Sequence, residues 1–284
     1  MRSWRAGCGG TRTSGSEGGG EETHGRKTAR APRRRPLHRV GQRYLTVVVD
    51  HDTGRLVWAA AGRDRKTVEA FLDALGEERC KQVELVSCDM ASWIAGPIAE
   101  RCPNAVRCVD PFHVVQLATD ALDEIRREVW NEARRAGQTE LARDLKGARF
   151  ALWKNPEHLS ARQQAKLSDI EQTNRPLFRA YLLKEQLRQI YRLPAQAAIA
   201  LLERWIKWAR RCRLKPFVKL ARTITEQRAG ILAAIEHGLS NARVEAINTQ
   251  IRLITRRAFG FHSAGALIAL AMLTLADLCP PLPR

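Results

Sequence analysis

Three carboxylates are placed where chemistry is possible. Asp89 directly follows the apolar run Val83–Ser87 (VELVS), and Asp110 follows Ala105–Val109 (AVRCV). Each stands at the C-terminal end of a predicted strand, the end at which open α/β sheets hold their ligands. A carboxylate there suits Mg²⁺, which takes oxygen ligands. An Asp there also caps the helix that follows, and both readings stand. Glu245 lies in a helical pattern. At 100° per residue Val244, Ile247, Ile251 and Ile254 form one apolar stripe, while Glu245, Asn248, Thr249, Arg252 and Arg256 line another face. The residues three and four positions from Glu245 are Asn241, Ala242, Asn248 and Thr249, so no basic neighbour on its own helix neutralises it. That face is either solvated or catalytic. Residues 203–222 hold eight Lys or Arg and one Glu, with Arg204, Lys207 and Arg211 on one helix face and Trp205, Trp208 and Cys212 on its neighbour. This suits a helix that buries its aromatics while its cations track phosphates, and equally a solvated basic face. His113, three residues after Asp110, is either structural or close to a reacting phosphate.

The elements that would position these groups change character along the chain. Residues 1–43 carry 11 Lys or Arg against 3 acids and almost no apolar periodicity, which predicts a disordered basic tail. Tyr44–Val49 and Leu56–Ala61 read as strands around the turn signal Asp50-His-Asp-Thr-Gly54. Helix 66–75, strand 83–87, helix 91–101 and strand 105–109 follow. From Val114 to Gly238 the pattern is helical throughout, and a last helical region runs from Ala242 to Leu278 with a break at Phe259-Gly260-Phe261. The expected fold is α/β: a small sheet domain over 44–113, a helical segment over 114–238, and C-terminal helices over 239–279 that return to the sheet, ahead of a short tail at 280–284.

Composition narrows the function classes. The chain has 48 Lys or Arg and 30 Asp or Glu among 284 residues, a net charge of +18, which calls for a polyanionic partner such as nucleic acid. The longest apolar run, Ala264–Ala276, is about 13 residues and falls short of the roughly 20 that a membrane span needs. Seven Cys without a C-x-x-C predict reduced thiols and a cytoplasmic setting rather than a disulfide framework or zinc ribbon.

Six ordered blocks carry a family resemblance: Tyr44-Leu-Thr-Val-Val-Val-Asp50, Val86-Ser-Cys-Asp-Met90, Pro103-Asn-Ala105, Asp110-Pro-Phe-His-Val114, Ser240-Asn-Ala-Arg-Val-Glu-Ala-Ile-Asn248 and Arg256-Arg-Ala-Phe-Gly-Phe-His262. Over residues 44 to about 279 the chain resembles the bacterial insertion-sequence transposases of the "L-three" family. The resemblance implies an RNase H-like DDE core with a large all-helical insertion, acting on double-stranded DNA at the nucleoid, as a homo-oligomer. It implies two Mg²⁺ ions held by three carboxylates, with Asp89 as the second and Glu245 as the third. Asp110 and His113 then belong to an element beside the site, and Arg204, Lys207, Arg211, Arg252 and Arg256 are candidate DNA contacts. The family's first carboxylate lies about ten residues before the equivalent of Tyr44. Here that region reads Ala31-Pro-Arg-Arg-Arg-Pro-Leu-His-Arg39, without an acid and with two prolines that a central strand excludes. The family's N-terminal zinc and helix-turn-helix modules have no counterpart in this sequence. The expectation is a frameshifted or truncated chain, defective in catalysis, whose sheet lacks a central strand and exposes its edges. Asp50 or Asp52 is the fallback first carboxylate, and a non-catalytic nucleic-acid-binding protein is the alternative function.

Overall fold

The computed structural model describes the backbone of residues 4–12 and residues 44–278. The chain divides into two compact units, residues 1–107 with 241–284, and residues 108–240. The five strands are β1 (Trp4–Arg12), β2 (Tyr44–Asp50), β3 (Leu56–Ala61), β4 (Val83–Cys88) and β5 (Val106–Val109), in the spatial order β3-β2-β1-β4-β5.

In the first unit, β2 and β3 form a hairpin whose turn is organised by Asp50. Its carboxylate accepts from the Asp52 N–H at 2.9 Å and from the Thr53 hydroxyl at 2.8 Å. Alternation along β2 sends Val48 to one face of the sheet and Leu45, Val47 and Val49 to the other. On the first face Val48, Val86 and Cys88 pack with α1 (Arg65–Leu75), α2 (Glu77–Lys81) and α3 (Ser92–Arg101) through Val68, Leu72, Cys80, Ile94 and Ile98. On the second face the late helices do return. Val244, Ile247 and Ile251 of α12 (Ala242–Arg257) and Leu267 and Ala271 of α13 (Ala264–Leu275) bury against β2 and β3. Helices therefore cover both faces of the sheet.

The central strand corrects the expectation for the N-terminus. Trp4–Arg12 is an extended strand, not disordered tail, and it closes the predicted gap. It pairs antiparallel with β2 from Ala6↔Asp50 to Arg12↔Tyr44, and parallel with β4 from Trp4↔Val83 to Cys8↔Cys88, with a register shift after Trp4. Its Gly-rich sequence (WRAGCGGTR) is poor strand material by propensity. The buried edges of β2 and β4, however, present two rows of N–H and C=O groups that need partners, and tertiary pairing overrides propensity. Residues 13–43, with the proline-bearing stretch 31–39, lie outside the described residues.

The second unit is helical: α4 (Pro111–Arg135), α5 (Thr139–Gly147), α6 (Arg149–Trp153), α7 (Ala161–Thr173), α8 (Arg175–Ile190), α9 (Ala195–Arg211), α10 (Lys215–Glu226) and α11 (Arg228–His237). The long helix α4 packs on α5, α8 and α10, and α9 packs on α8 and α10. Trp205 is fully buried and its indole N–H donates to the Leu183 carbonyl at 2.8 Å, locking α9 to α8. Lys184 is also buried. Its ammonium donates to the Leu152 carbonyl at 2.8 Å and pairs with Glu185 at 2.5 Å, and burial holds its pKa below the usual lysine range.

If β1 supplies both ladders, removing residues 1–12 opens facing edges on β2 and β4. The shortened chain is expected to sediment as aggregate where the full chain stays dispersed. In the full chain the amides of Ala6–Arg12 are expected to exchange as slowly as those of β2. Fast exchange there, with unchanged sedimentation of the shortened chain, is the opposite result.

Candidate functional site

The first unit sets Asp89 and α12 against the same end of the sheet. Asp89 follows the last residue of β4 and is half-buried, with Oδ1 accepting the Ala91 N–H at 2.8 Å at the entry to α3. This bond closes a turn ahead of the helix and is not the expected cap, since Ala91 holds the N-cap position of α3 with no side-chain capping bond; the turn takes one carboxylate oxygen. Two residues earlier, the buried Ser87 hydroxyl donates to Oδ1 of the buried Asn241 at 2.7 Å. Asn241 is the N-cap position of α12, so this bond ties the start of α12 to the end of β4. Glu245 lies one turn further along α12, exposed and in the helix's first turn, where the helix dipole favours a negative charge. Glu245 makes no ion pair among the described residues.

A second tie orients the same turn of helix. The Arg243 guanidinium donates to the His51 carbonyl in the β2–β3 turn, and its aliphatic stem runs past Gly54, which has φ +74°. The apolar stripe anticipated from the sequence is the buried one: Val244, Ile247 and Ile251 are buried and Ile254 packs beside them. Asn248 is buried with this stripe rather than exposed on the Glu245 face. Its Oδ1 has no hydrogen-bond partner among the described residues. Thr249, Arg252 and Arg256 are exposed, as is Glu245.

The strand beside Asp89 decides what the carboxylates can hold. The last β1–β4 couple is Cys8↔Cys88, so the next residue on each strand is Gly9 and Asp89. Gly9 pairs with Val47 on its other side, and Val47 belongs to the sheet face that α12 covers. No residue of Trp4–Arg12 is acidic. Asp50 pairs with Ala6, three residues from Gly9 along β1 or roughly 10 Å, and spends both carboxylate oxygens on its turn. It therefore does not stand in for an acid beside Asp89, and exposed Asp52 is further round the same turn. Among the described residues no group of three or more His, Cys, Asp or Glu could hold a metal ion. Among the described residues the side chains do not make up a two-metal carboxylate site.

The second unit holds the other candidates. Asp110 is buried at the N-cap position of α4 but makes no capping hydrogen bond to that helix, which starts instead with Pro111. Its Oδ2 lies 3.8 Å from Nε2 of half-exposed His113. Burial and then the nearby Asp110 carboxylate push the Tyr191 phenol above its usual range. Arg204, Lys207 and Arg211 are exposed on α9, while Trp205 and Cys212 are buried, as the spacing predicts. The basic surface extends further than the spacing of α9 alone indicates. Arg213 in the connection, and Lys215, Lys219 and Arg222 on α10, are exposed too, and no acid occurs between Glu203 and Glu226. None of Arg204, Lys207, Arg211, Lys215, Lys219 or Arg222 joins an ion pair among the described residues. Among the described residues no helix is long and apolar enough to cross a membrane.

Comparison with known proteins identifies the family. Residues 38–271 match the DDE-type ISL3 family profile, described as transposase. The chain is 54% identical over 260 residues to the transposase for insertion sequence element IS1557 of Mycobacterium tuberculosis, covering 85% of this chain and 59% of that protein. It is 32% identical over 229 residues to the transposase for insertion sequence element IS1001 of Bordetella parapertussis, covering 80% of this chain and 55% of that one. No solved structure gives a significant match. The chain belongs to the ISL3 family of insertion-sequence transposases, and it spans little more than half the length of these relatives.

The Ser87–Asn241 bond is testable on its own. Asn241→Ala strips a buried hydroxyl of its acceptor and is expected to lower stability by about 1–3 kcal/mol. A Ser87→Ala/Asn241→Ala double-mutant cycle in urea should give a coupling of about 0.5–1.5 kcal/mol. A coupling near zero means that α12 is held by its apolar stripe and the Arg243–His51 bond without help from this one.

Proposed function

We propose that this chain is the catalytic-core portion of a DDE-type transposase that binds double-stranded DNA but does not complete strand cleavage. The strand order β3-β2-β1-β4-β5, with β2 antiparallel to β1 and β4 parallel to it, supports an RNase H-like core. The all-helical stretch between β5 and α12 supports an insertion carried by that core. In this reading Asp89 and Glu245 are the two surviving acids of the catalytic set. Asp110 and His113 belong to an adjoining element, and the protein works as a homo-oligomer at the bacterial nucleoid.

One observation carries the defect. Gly9 follows the last β1–β4 couple, Cys8↔Cys88, on β1 as Asp89 follows it just past β4, and β1 has no acid to offer there. A divalent metal pair stabilises the attacking and leaving oxygens at a phosphate, and it needs several oxygen ligands to stay bound. Asp89 and Glu245 alone leave that set short. The alternative, a nucleic-acid-binding protein in which Glu245 has no role, is favoured by the unpaired cations of α9 and α10.

The two readings separate in one set of variants. The full chain is expected to bind duplex DNA with log K falling by about 0.9 per phosphate contact for each tenfold rise in salt. Replacing Arg204, Lys207 and Arg211 with Ala should reduce that slope by up to roughly 3. Mn²⁺ titration followed by electron paramagnetic resonance should show weak binding to the native chain and tighter, stoichiometric binding to Gly9→Asp. That gain should vanish in Gly9→Asp/Glu245→Gln. If Gly9→Asp binds Mn²⁺ no better than the native chain while DNA binding persists, the nucleic-acid-binding reading replaces the transposase-core one.

A further inference from the structure

Helix α12 ends at a non-glycine residue in the left-handed conformation, as α9 does at Arg213 and α13 at Asp277, but only at α12 is that residue aromatic. The Gly260 N–H donates to the Thr255 carbonyl at 3.0 Å and the Phe259 N–H to the Arg256 carbonyl at 3.1 Å. This is the Schellman pattern, in which the residue just past the helix takes a left-handed conformation and is usually Gly. Here that residue is Phe259, with φ +54°. A non-glycine side chain there is strained, because Cβ crowds the following carbonyl. The ring gives the fold nothing in return, since Phe259 is 94% exposed. Two residues on, Phe261 packs against the core that α12 and α13 share, so the turn is anchored and the Phe259 ring is held out from it.

The surroundings name a partner. Arg252, Arg256 and Arg257 are exposed on the last turns of the same helix and join no ion pair among the described residues. An exposed aromatic ring set among guanidiniums matches a nucleotide: the cations take phosphates and the ring takes a base face. We infer that Phe259 is a base-stacking wedge that unstacks DNA lying along α12, with Arg252 and Arg256 holding the flanking phosphates. The inference rests on the DNA-binding reading above and adds a site to it. Phe259 lies fourteen positions beyond Glu245, twelve of them within α12, or roughly 20 Å at about 1.5 Å per residue. At about 3.4 Å per base step, the distorted base lies about six base pairs from a phosphate at Glu245.

Strain kept for function gives a paired signature. The full chain is titrated with a 30-base-pair duplex and with the same duplex carrying one mismatched pair, in fixed salt. The native chain should bind the mismatched duplex on the order of tenfold tighter, because an unpaired base costs less to unstack. Phe259→Ala should lose that preference and keep the native salt slope, and Phe259→Trp should retain it. Phe259→Gly should also lose the preference while melting ~2–4 °C higher, since Gly relieves the left-handed strain. If Phe259→Ala discriminates as the native chain does, the wedge is overturned and DNA binding stands. If the native chain binds neither duplex, both the wedge and the DNA reading fall. If Phe259→Ala changes only the sedimentation of the free chain, the ring contacts protein, and the wedge is likewise overturned.

Discussion

Strands β2 and β4 do not touch each other, and everything in the first unit depends on what pairs with both. β2 has Val47, Val48 and Val49 buried and β4 has Val86, Ser87 and Cys88 buried, so neither strand can leave its backbone groups to water. β1 takes seven register positions on β2 and five on β4. It is also floor as well as spacer, because α12 packs over β1 and β2. The position of Glu245 therefore follows from a strand that contributes no acid of its own. A sheet can accept many sequences in such a slot, since the ladder is made by backbone groups. Chemistry cannot, since it needs a particular side chain at one register position. That difference lets a chain of this kind fold with no acid on β1.

The parts of the fold legible in the sequence are those where burial writes a period. YLTVVV, VELVS and the Val244–Ile251 stripe each show one, and the strands and α12 lie where those periods place them. The buried Trp205 was legible for a similar local reason, whereas the cap expected of Asp89 is a turn bond to the Ala91 N–H instead. β1 was not legible, because Gly-rich text has no side-chain pattern and its pairing comes from strands some forty and eighty residues away. Asn248 was assigned to the polar face of α12 by angle alone, yet it is buried beside the stripe. A helix lying on a sheet buries an arc wider than its apolar residues mark out. The Ser87–Asn241 bond, spanning 154 positions, has no sequence signal beyond two small polar residues in the right blocks.

Charge is distributed by function as well as by number. In the first unit many cations are matched: Arg65 with Glu69 and Glu100, Arg101 with Asp73, and Lys81 with Glu77 and Glu78. Those exposed pairs add little stability but cancel the local field. Between Glu203 on α9 and Glu226 on α10 there is no acid, and Arg204, Lys207, Arg211, Lys215, Lys219 and Arg222 join no ion pair among the described residues, so the field there is less cancelled. Such a surface repels itself, and its cost to folding is recovered only when a polyanion releases its counterions on binding. The burial of Trp205 and Phe217 beneath it supplies the rigidity that keeps the cations in place.

Helices α11 and α12 solve one backbone problem differently, and α9 and α13 share the second solution with Arg213 at φ +62° and Asp277 at φ +59°. α11 ends at Gly238 with φ +60°, the residue that meets the left-handed requirement without strain. α12 ends at Phe259 with φ +54°, although a glycine stands at the next position. Random drift toward a stable fold would favour the first solution at both sites, because the second adds strain and exposes an aromatic ring. Burial does not explain the choice, since the ring lies in water. What distinguishes the two ends is their neighbours. Gly238 follows Glu236 and His237, whereas Phe259 follows Arg252, Arg256 and Arg257 on the helix that carries Glu245. A ring held rigidly outward beside cations is a contact surface, and the strain at Phe259 is what keeps it presented.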